Sequence, residues 1–173
     1  MKGSVFIGTS LDGFIARLDG AFDFLPDGGG EDHGYTEFFA SVDAMLIGRK
    51  TYETALGFGD WPYGAKPVFV FSSRPLAPAP ARAVVERVSG PPAEIAAALT
   101  ARGIDHVYVD GGRTIQAFLN AGLVQRLVVT RVPVLIGTGI PLFGPTTRDI
   151  RLRHVGTHAY PSGLVTSEYE VAS

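Results

Sequence analysis

Short apolar runs that alternate with helix-forming segments constrain the fold of this chain more than any other feature. The clearest examples are residues 44–48, followed directly by a helical pattern over 49–56, and residues 106–110, followed by a helical pattern over 114–120. Strands that are apolar along their whole length are typical of parallel sheets covered by helices on both faces. The chain is therefore predicted to be an α/β protein with three layers, α/β/α, around a mixed, mainly parallel central sheet.

The remaining elements follow the same alternation except at the C-terminus. Residues 150–158 and 164–171 alternate apolar and polar side chains around a turn at 160–163, which predicts a C-terminal antiparallel hairpin. The stretch 134–143 is predicted as a hydrophobic loop or a broken strand, and 17–30 as a long polar loop. Further strands are predicted at 4–10, 67–71, 83–88 and 125–132, and further helices at about 32–41 and 91–101.

Composition limits the classes of protein and of site. The 173 residues fit one domain, predicted to span 1–173, and 46% hydrophobic with 18% charged residues favour a folded chain. A net charge of −2 and the lack of a long apolar run give no indication of a nucleic-acid or membrane partner. The absence of cysteine excludes disulfides and thiolate zinc sites and agrees with a cytoplasmic location. The four histidines lack metal-ligand spacing, so no metal site is predicted.

Three predicted strand ends carry groups that suit anions, and ligands of parallel sheets bind at the carboxyl ends of strands. Glycine lets the backbone approach a bound group closely, and a helix start presents unpaired N–H groups with a partial positive charge. Arginine and lysine add charge there, and serine and threonine add hydroxyl groups. The residues concerned are Gly48, Arg49, Lys50 and Thr51; Ser72, Ser73 and Arg74; and Gly111, Gly112, Arg113 and Thr114.

Together, these strand ends suit a dinucleotide that is phosphorylated on its adenosine ribose. The pyrophosphate fits the backbone of 111–114, and the ribose phosphate fits Arg49 with Ser72 or Arg74, since guanidinium offers a planar pair of donors. Taken singly, the segments have plainer interpretations as a solvated helix start or a turn. The glycine spacing of the Rossmann fingerprint is missing after the first strand, so a dinucleotide site here is of another design.

Five segments, in the family's order, resemble the dihydrofolate reductase-like superfamily. In particular, the chain is similar to stand-alone proteins related to the C-terminal reductase domain of the bifunctional riboflavin-biosynthesis deaminase-reductase. The segments are 10–16 (SLDGFIA), 43–53 (DAMLIGRKTYE), 70–74 (VFSSR), 109–112 (VDGG) and 137–143 (GTGIPLF).

The resemblance implies an NADPH-dependent reductase with a central sheet of about eight strands. It implies that 48–51 and 72–74 hold the adenosine end of the cofactor and that 111–114 lies against the pyrophosphate, with a glycine pair that is often joined by a cis peptide bond. It places an apolar shelf beside the nicotinamide, formed by Ile7, Ile15 and Ala16. The implied activity is like that of dihydrofolate reductase or 5-amino-6-(5-phosphoribosylamino)uracil reductase. The implied substrate is pterin- or aminopyrimidine-like, or a related carbonyl or imine compound.

Three carboxyl groups are candidates for the proton donor of such a reduction, namely Asp12, Asp32 and Glu37. A carboxyl group in an apolar pocket keeps its proton near neutral pH, because desolvation disfavours the anion. Asp12 also fits a turn, and Asp32 also fits a helix N-cap. Phe38 and Trp61 are candidate substrate-binding side chains, with core packing as the plainer role of Phe38.

The chain also departs from both kinds of reductase that it resembles. It has no cysteine-ligated zinc deaminase domain, and its first predicted helix does not show which acid would face a substrate. A non-catalytic nucleotide-binding or assembly protein that retains the fold is therefore the alternative. A homodimer is predicted in either case, because the strand at Val128 and Val129, the 134–143 segment and the terminal hairpin offer a large apolar edge.

Overall fold

The computed structural model describes residues 1–26 and 31–172, so residues 27–30 of the predicted polar loop lie outside the described residues. The strands are β1 Lys2–Ser10, β2 Phe14–Ala16, β3 Ala44–Gly48, β4 Val68–Phe71, β5 Val85–Val88, β6 His106–Asp110, β7 Arg126–Val132, β8 Ile140–Pro141, β9 Leu152–Ala159 and β10 Val165–Val171. The helices are α1 Tyr35–Ala40, α2 Arg49–Leu56, α3 Pro92–Ala101 and α4 Gly112–Asn120. None of these helices is long and apolar enough to cross a membrane.

Eight of the strands form one sheet in the order β5-β4-β3-β6-β1-β7-β10-β9. The first six strands in this order, β5, β4, β3, β6, β1 and β7, all run parallel to one another. Strand β10 is antiparallel to β7 on one side and to β9 on the other. Strands β9 and β10 form a hairpin, because only a short turn joins them. The predicted mixed, mainly parallel sheet with a C-terminal antiparallel hairpin is therefore confirmed.

Helices cover both faces of the sheet, as strand β3 illustrates. Leu46 packs in the core formed with Phe118 of α4, whereas Met45 and Ile47 pack in the core formed with Tyr52 of α2. Helix α3 contributes to the first core and helix α1 to the second. The strand is apolar on both sides because neither side meets water. The three-layer α/β/α arrangement is confirmed.

Two local predictions need adjustment. The helix predicted from about residue 32 begins at Tyr35, because Gly34 precedes it in a left-handed conformation with φ 84°. Asp32 nevertheless accepts the backbone N–H of Thr36 at 3.0 Å, so it stabilises the start of α1 from outside the helix. The sequence predicts a hydrophobic loop or a broken strand over 134–143. This stretch contributes only the two-residue strand β8, which pairs with β2, so it is a broken strand.

Strand β7 lies inside the sheet and offers no apolar edge. Val128 and Val129 are each only 5% exposed, because β7 pairs with β1 on one side and with β10 on the other. The expectation that this strand exposes apolar surface is therefore wrong. Leu135, Leu152 and Val155 are exposed apolar side chains of the other two segments. The homodimer stays a prediction that rests on these residues.

Candidate active site

Two helices begin side by side at the carboxyl ends of the neighbouring strands β3 and β6. Helix α2 follows Gly48 and helix α4 follows Gly111, and neither helix has a side-chain cap. A Cβ atom built on Gly48 would lie 2.8 Å from the hydroxyl oxygen of Thr114, and one built on Gly111 would lie 2.6 Å from that of Thr51. Because both distances are shorter than real contacts of a Cβ atom, glycine is needed at both positions for the helix starts to meet.

Gly111 also directs the chain into helix α4. Its φ of 94° and ψ of 127° form a combination that residues with a side chain rarely adopt. The peptide bond between Gly111 and Gly112 is trans, so the cis bond implied by the resemblance is wrong here, and the backbone of Gly111 makes the turn instead. The N–H groups of Gly112, Arg113 and Thr114 have no acceptor in the described part of the chain. These donors are available to an anion.

Both helix starts open into one cleft of about 1170 Å³. Every residue predicted to hold the cofactor lies along this cleft, although they come from several separate segments of the chain. The residues are Ile7, Ile15, Ala16, Gly48, Arg49, Lys50, Thr51, Ser72, Ser73, Arg74, Gly111, Gly112, Arg113 and Thr114. The separate strand ends therefore converge on a single space, which is the geometry that binding of one dinucleotide requires.

Basic side chains and a hydrogen-bonded turn lie beside the two helix starts. Arg49 pairs with Glu53, one turn further along α2. The buried Ser72 hydroxyl accepts the N–H of Arg74 at 3.0 Å and donates to the carbonyl oxygen of Arg74 at 2.9 Å. This turn, predicted as the plainer interpretation of the segment, leaves the side chains of Ser73 and Arg74 exposed at the cleft.

An apolar shelf lies against the start of helix α4. A Cβ atom built on Gly112 would lie 3.1 Å from Cδ1 of Ile15 on β2, and Ala16 pairs with Ile140 of β8. Ile7 of β1 lines the same cleft. The strand pair β2 and β8 thus brings apolar side chains to the start of α4. The pairing of these two short strands could not be predicted from the sequence.

Asp110, the last residue of β6, supplies the one carboxyl group among the described residues that line the cleft. Burial raises its pKa to about 6, although its Oδ1 atom accepts the N–H of Gly111 at 2.7 Å, which acts in the opposite direction. Burial and, to a smaller extent, the Asp110 charge raise the pKa values of Tyr35, Tyr63 and Tyr108. Sequence reasoning missed Asp110, although an acidic residue that ends an apolar strand just before two glycines was a usable signal.

The three carboxyl groups singled out from the sequence lie elsewhere. Asp12 accepts the backbone N–H of Gly137 at 2.8 Å, and its pKa is lowered by the Ser10 hydroxyl and by backbone N–H groups. The Asp32 carboxylate accepts a hydrogen bond from the Thr36 hydroxyl group, which lowers the pKa of Asp32. Glu37 lines a second, smaller hollow of about 490 Å³ beside α1. In the ranges that the structure describes, no three His, Cys, Asp or Glu side chains form a group that could hold a metal ion.

The two predicted substrate-binding aromatics pack against the cleft wall from behind. Phe38 is only 3% exposed, and its ring centroid lies 5.0 Å from those of Phe6 and Tyr108, both of which line the cleft. The ring of Trp61 lies 5.1 Å from that of Tyr63, which is also a lining residue. Phe38 and Trp61 therefore position the side chains that form the wall.

Comparisons with known proteins agree on one family. Residues 2–166 match the family described as the RibD C-terminal domain. The uncharacterized protein YwjB of Bacillus subtilis (strain 168) is 32% identical in an alignment of 162 residues that covers 92% of this chain and 92% of that protein.

Two solved structures show the same fold over essentially the whole chain. The crystal structure of a putative riboflavin biosynthesis protein from Shewanella sp. PV-4 has a TM-score of 0.92 and 36% identity and covers 100% of both chains. Dihydrofolate reductase from Enterococcus faecalis, complexed with NADP(H), has a TM-score of 0.63 and 14% identity and covers 100% of this chain and 97% of that one. The second likeness concerns the fold alone, and the predicted dihydrofolate reductase-like fold is confirmed.

Proposed function

The chain belongs to the RibD C-terminal domain family, and from this we propose that it is an NADPH-dependent reductase of small planar heterocycles or related carbonyl or imine compounds. Family membership and the neighbouring riboflavin-biosynthesis protein indicate a reductase-like function. The observation that carries the proposal is the meeting of two uncapped helix starts, at Gly48 and Gly111, in one cleft beside exposed basic side chains. The whole of 1–173 would act as one domain.

The residues present fit the two anionic centres of NADPH. The free N–H groups of 112–114 suit the pyrophosphate. Arg49 and Arg74 lie at the ends of the paired strands β3 and β4, so they suit the phosphate on the adenosine ribose. Ser72 is occupied within its own turn, which leaves Ser73 as the exposed hydroxyl at this position.

Asp110 is the proposed proton donor, since it lies in the cleft next to the glycine pair and holds a proton at higher pH than an ordinary carboxyl group. Bound NADPH would supply a hydride to the carbon of a C=O or C=N bond and leave as NADP⁺. The Asp110 carboxyl group would give its proton to the oxygen or nitrogen of that bond and regain one from water. Ile7, Ile15 and Ala16 would keep water from the reacting carbon.

Arg49→Ala tests the cofactor assignment. A charge-assisted hydrogen bond to phosphate contributes about 1.5–3 kcal/mol, so this variant should bind NADPH roughly 10- to 150-fold more weakly and bind NADH almost unchanged. Calorimetric titration of both nucleotides measures this. Arg102→Ala is the matched control, because Arg102 pairs with Glu86 outside the cleft and its loss should leave both affinities unchanged.

Two outcomes would contradict the proposal at different points. Equal, weak binding of NADPH and NADH by the parent protein would remove the role of Arg49 and of the helix starts. Tight NADPH binding without oxidation of NADPH on any of a panel of pterins, pyrimidines and quinones would instead favour a non-catalytic nucleotide-binding protein.

A further inference from the structure

The cleft is lined by a further group of side chains besides the helix starts and the apolar shelf, here called the aromatic chamber. Its side chains come from β1, from the 17–26 loop, from the segment after α2 and from β6. They are Phe6, Phe22, Leu25, Phe58, Tyr63 and Tyr108.

Two contacts close this chamber on the side of the 17–26 loop. The Leu25 side chain covers Gly8 so tightly that a Cβ atom there would lie 2.9 Å from Cδ2 of Leu25. The rings of Phe22 and Phe58 meet edge to face at 6.2 Å and join this loop to the segment after α2. Phe22 and Phe58 are 39% and 55% exposed, so large apolar side chains face open space rather than a packed core. Apolar surface left uncovered in a concave site is typical of a ligand-binding wall.

Basic side chains are concentrated around the two helix starts, a part of the cleft here called the basic end. The basic residues among the described lining are Arg49, Lys50, Arg74 and Arg113. Each lies in the first turn of α2 or α4 or in the turn after β4. Lys50 lies in the first turn of α2, whereas Phe58 lies two residues beyond its C-terminal end. Most of this eight-residue helix, about 12 Å long, therefore lies between the two residues.

Cations near the chamber are already paired. Arg17 donates to both carboxylate oxygens of Asp23, at 2.5 and 2.9 Å. Lys66 donates to the carbonyl oxygen of Val42 and lies over the Phe39 ring.

Arg126, behind Phe38, pairs with Glu168 at 2.7 Å. Residues 27–30, with the sequence Asp-Gly-Gly-Gly, contain no basic side chain. The six side chains that define the chamber therefore include no basic group, and Asp110 supplies the one carboxyl group among the described residues that line the cleft.

We infer that the aromatic chamber takes an uncharged planar ring compound, one of whose polar edges meets Asp110, and that it excludes substrates that carry a phosphate or carboxylate group. An anion placed there would lose its hydration without gaining a counter-charge, and it would lie near the Asp110 carboxylate. A flat ring would gain contacts with the aromatic walls. This inference rests on the proposed function, because it concerns the substrate of the same cleft, and it separates this chain from reductases of phosphoribosyl compounds.

The test uses pterin and pterin-6-carboxylate, two fluorescent compounds that share a ring system and differ by one anionic group. Each is titrated at pH 7 into the full chain saturated with NADP⁺, so that the basic end of the cleft is occupied. Pterin should bind at least about tenfold more tightly than pterin-6-carboxylate, which is about 1.4 kcal/mol. Equal binding, tighter binding of the carboxylate or no binding of pterin would overturn the inference.

Phe58→Arg should reverse the preference, because it places a cation on the chamber wall without removing any residue of the basic end. Pterin-6-carboxylate should then bind at least about tenfold more tightly than it binds the parent chain. Phe143→Arg is the matched control: Phe143 is 46% exposed and lies outside the cleft, so both affinities should stay as in the parent. An unchanged ratio in Phe58→Arg would also overturn the inference.

NADPH titration of the same proteins keeps this failure distinct from failure of the proposed function. Loss of NADPH binding in Phe58→Arg would mean that the fold or the cofactor site is disturbed and that the chamber is not independent of it, which counts against the inference. If the parent chain does not bind NADPH at all, the proposed function fails. If NADPH binds and the carboxylate is preferred, only the inference on the substrate fails.

Discussion

The two ends of the cleft are built by different parts of the chain. At the basic end, each helix start packs through a glycine and a threonine three residues later, and the N–H groups without an acceptor belong to the backbone. The aromatic chamber, by contrast, is defined by side chains, and these come from four separate segments. A site made of backbone is fixed by a few consecutive residues, whereas a site made of side chains depends on how distant segments pack. Substitutions at the two ends should therefore affect different measurable quantities.

Asp110→Asn should give the largest effect, and it should affect turnover rather than cofactor binding. General acid catalysis contributes typically 100- to 10,000-fold, so kcat should fall by about that factor while NADPH affinity stays within about twofold. In the parent, kcat should fall as the pH rises through about 6, because only the protonated carboxyl group donates a proton. This pH dependence should be lost in the variant. A comparable loss of NADPH affinity would assign Asp110 to the other end of the cleft.

The same variant has a stability signature with a defined sign. The pKa of Asp110 is raised from 3.8 to about 6, so the folded state favours the protonated form and the parent loses stability as the pH rises from about 4 to 6. The asparagine side chain of the variant carries no charge, but its amide oxygen still accepts the N–H of Gly111. Urea denaturation should therefore show the variant more stable by about 3 kcal/mol at pH 8 and equal to the parent below pH 4.

Gly111→Ala should give the next largest effect and should act in the opposite way. The new methyl group would overlap the Thr51 hydroxyl and force an unfavourable backbone conformation, which together cost about 3 kcal/mol of folding free energy. Displacement of the α4 start should weaken NADPH binding roughly a hundredfold, as measured by calorimetry.

Gly122→Ala is the matched control for this substitution. Gly122 also has a positive φ, 71°, but a Cβ atom there would meet nothing within 4 Å. It should lower the free energy of unfolding by about 1 kcal/mol and leave NADPH affinity unchanged. Equal loss of NADPH affinity in both glycine variants would show that backbone strain alone, and not the packing of the two helix starts, explains the result.

Asp12→Ala should give the smallest effect and should change neither end of the cleft. The Asp12 carboxylate accepts backbone N–H groups of Ile136 and Gly137, so its loss should loosen that loop and lower Tm by about 2–4 °C. Turnover and NADPH affinity should stay within about twofold of the parent. A fall in kcat as large as that of Asp110→Asn would restore Asp12 as the proton donor.

The position of the two helix starts at the basic end could be predicted from the sequence because its signals are local. Gly48 and Gly111 each separate an apolar strand from a helix within a few residues, and parallel topology brings such strand ends to one edge. The carboxyl group inside the cleft could not be predicted in the same way. Asp12, Asp32 and Glu37 had plausible positions along the chain, but where each carboxyl group lies depends on the packing of loops and of α1, which sequence spacing does not encode.

By itself, the sequence determined the layer order, the mainly parallel sheet and the glycine-marked helix starts, because these follow from hydrophobic periodicity and from backbone conformations available to glycine. Only the tertiary structure decided that Asp110 is the carboxyl group inside the cleft, that Phe38 and Trp61 pack behind its wall, and that aromatic residues from distant segments form the chamber. Burial, and with it the pKa of a carboxyl group, depends on which atoms surround a side chain after folding, and those atoms come from residues far apart in the chain.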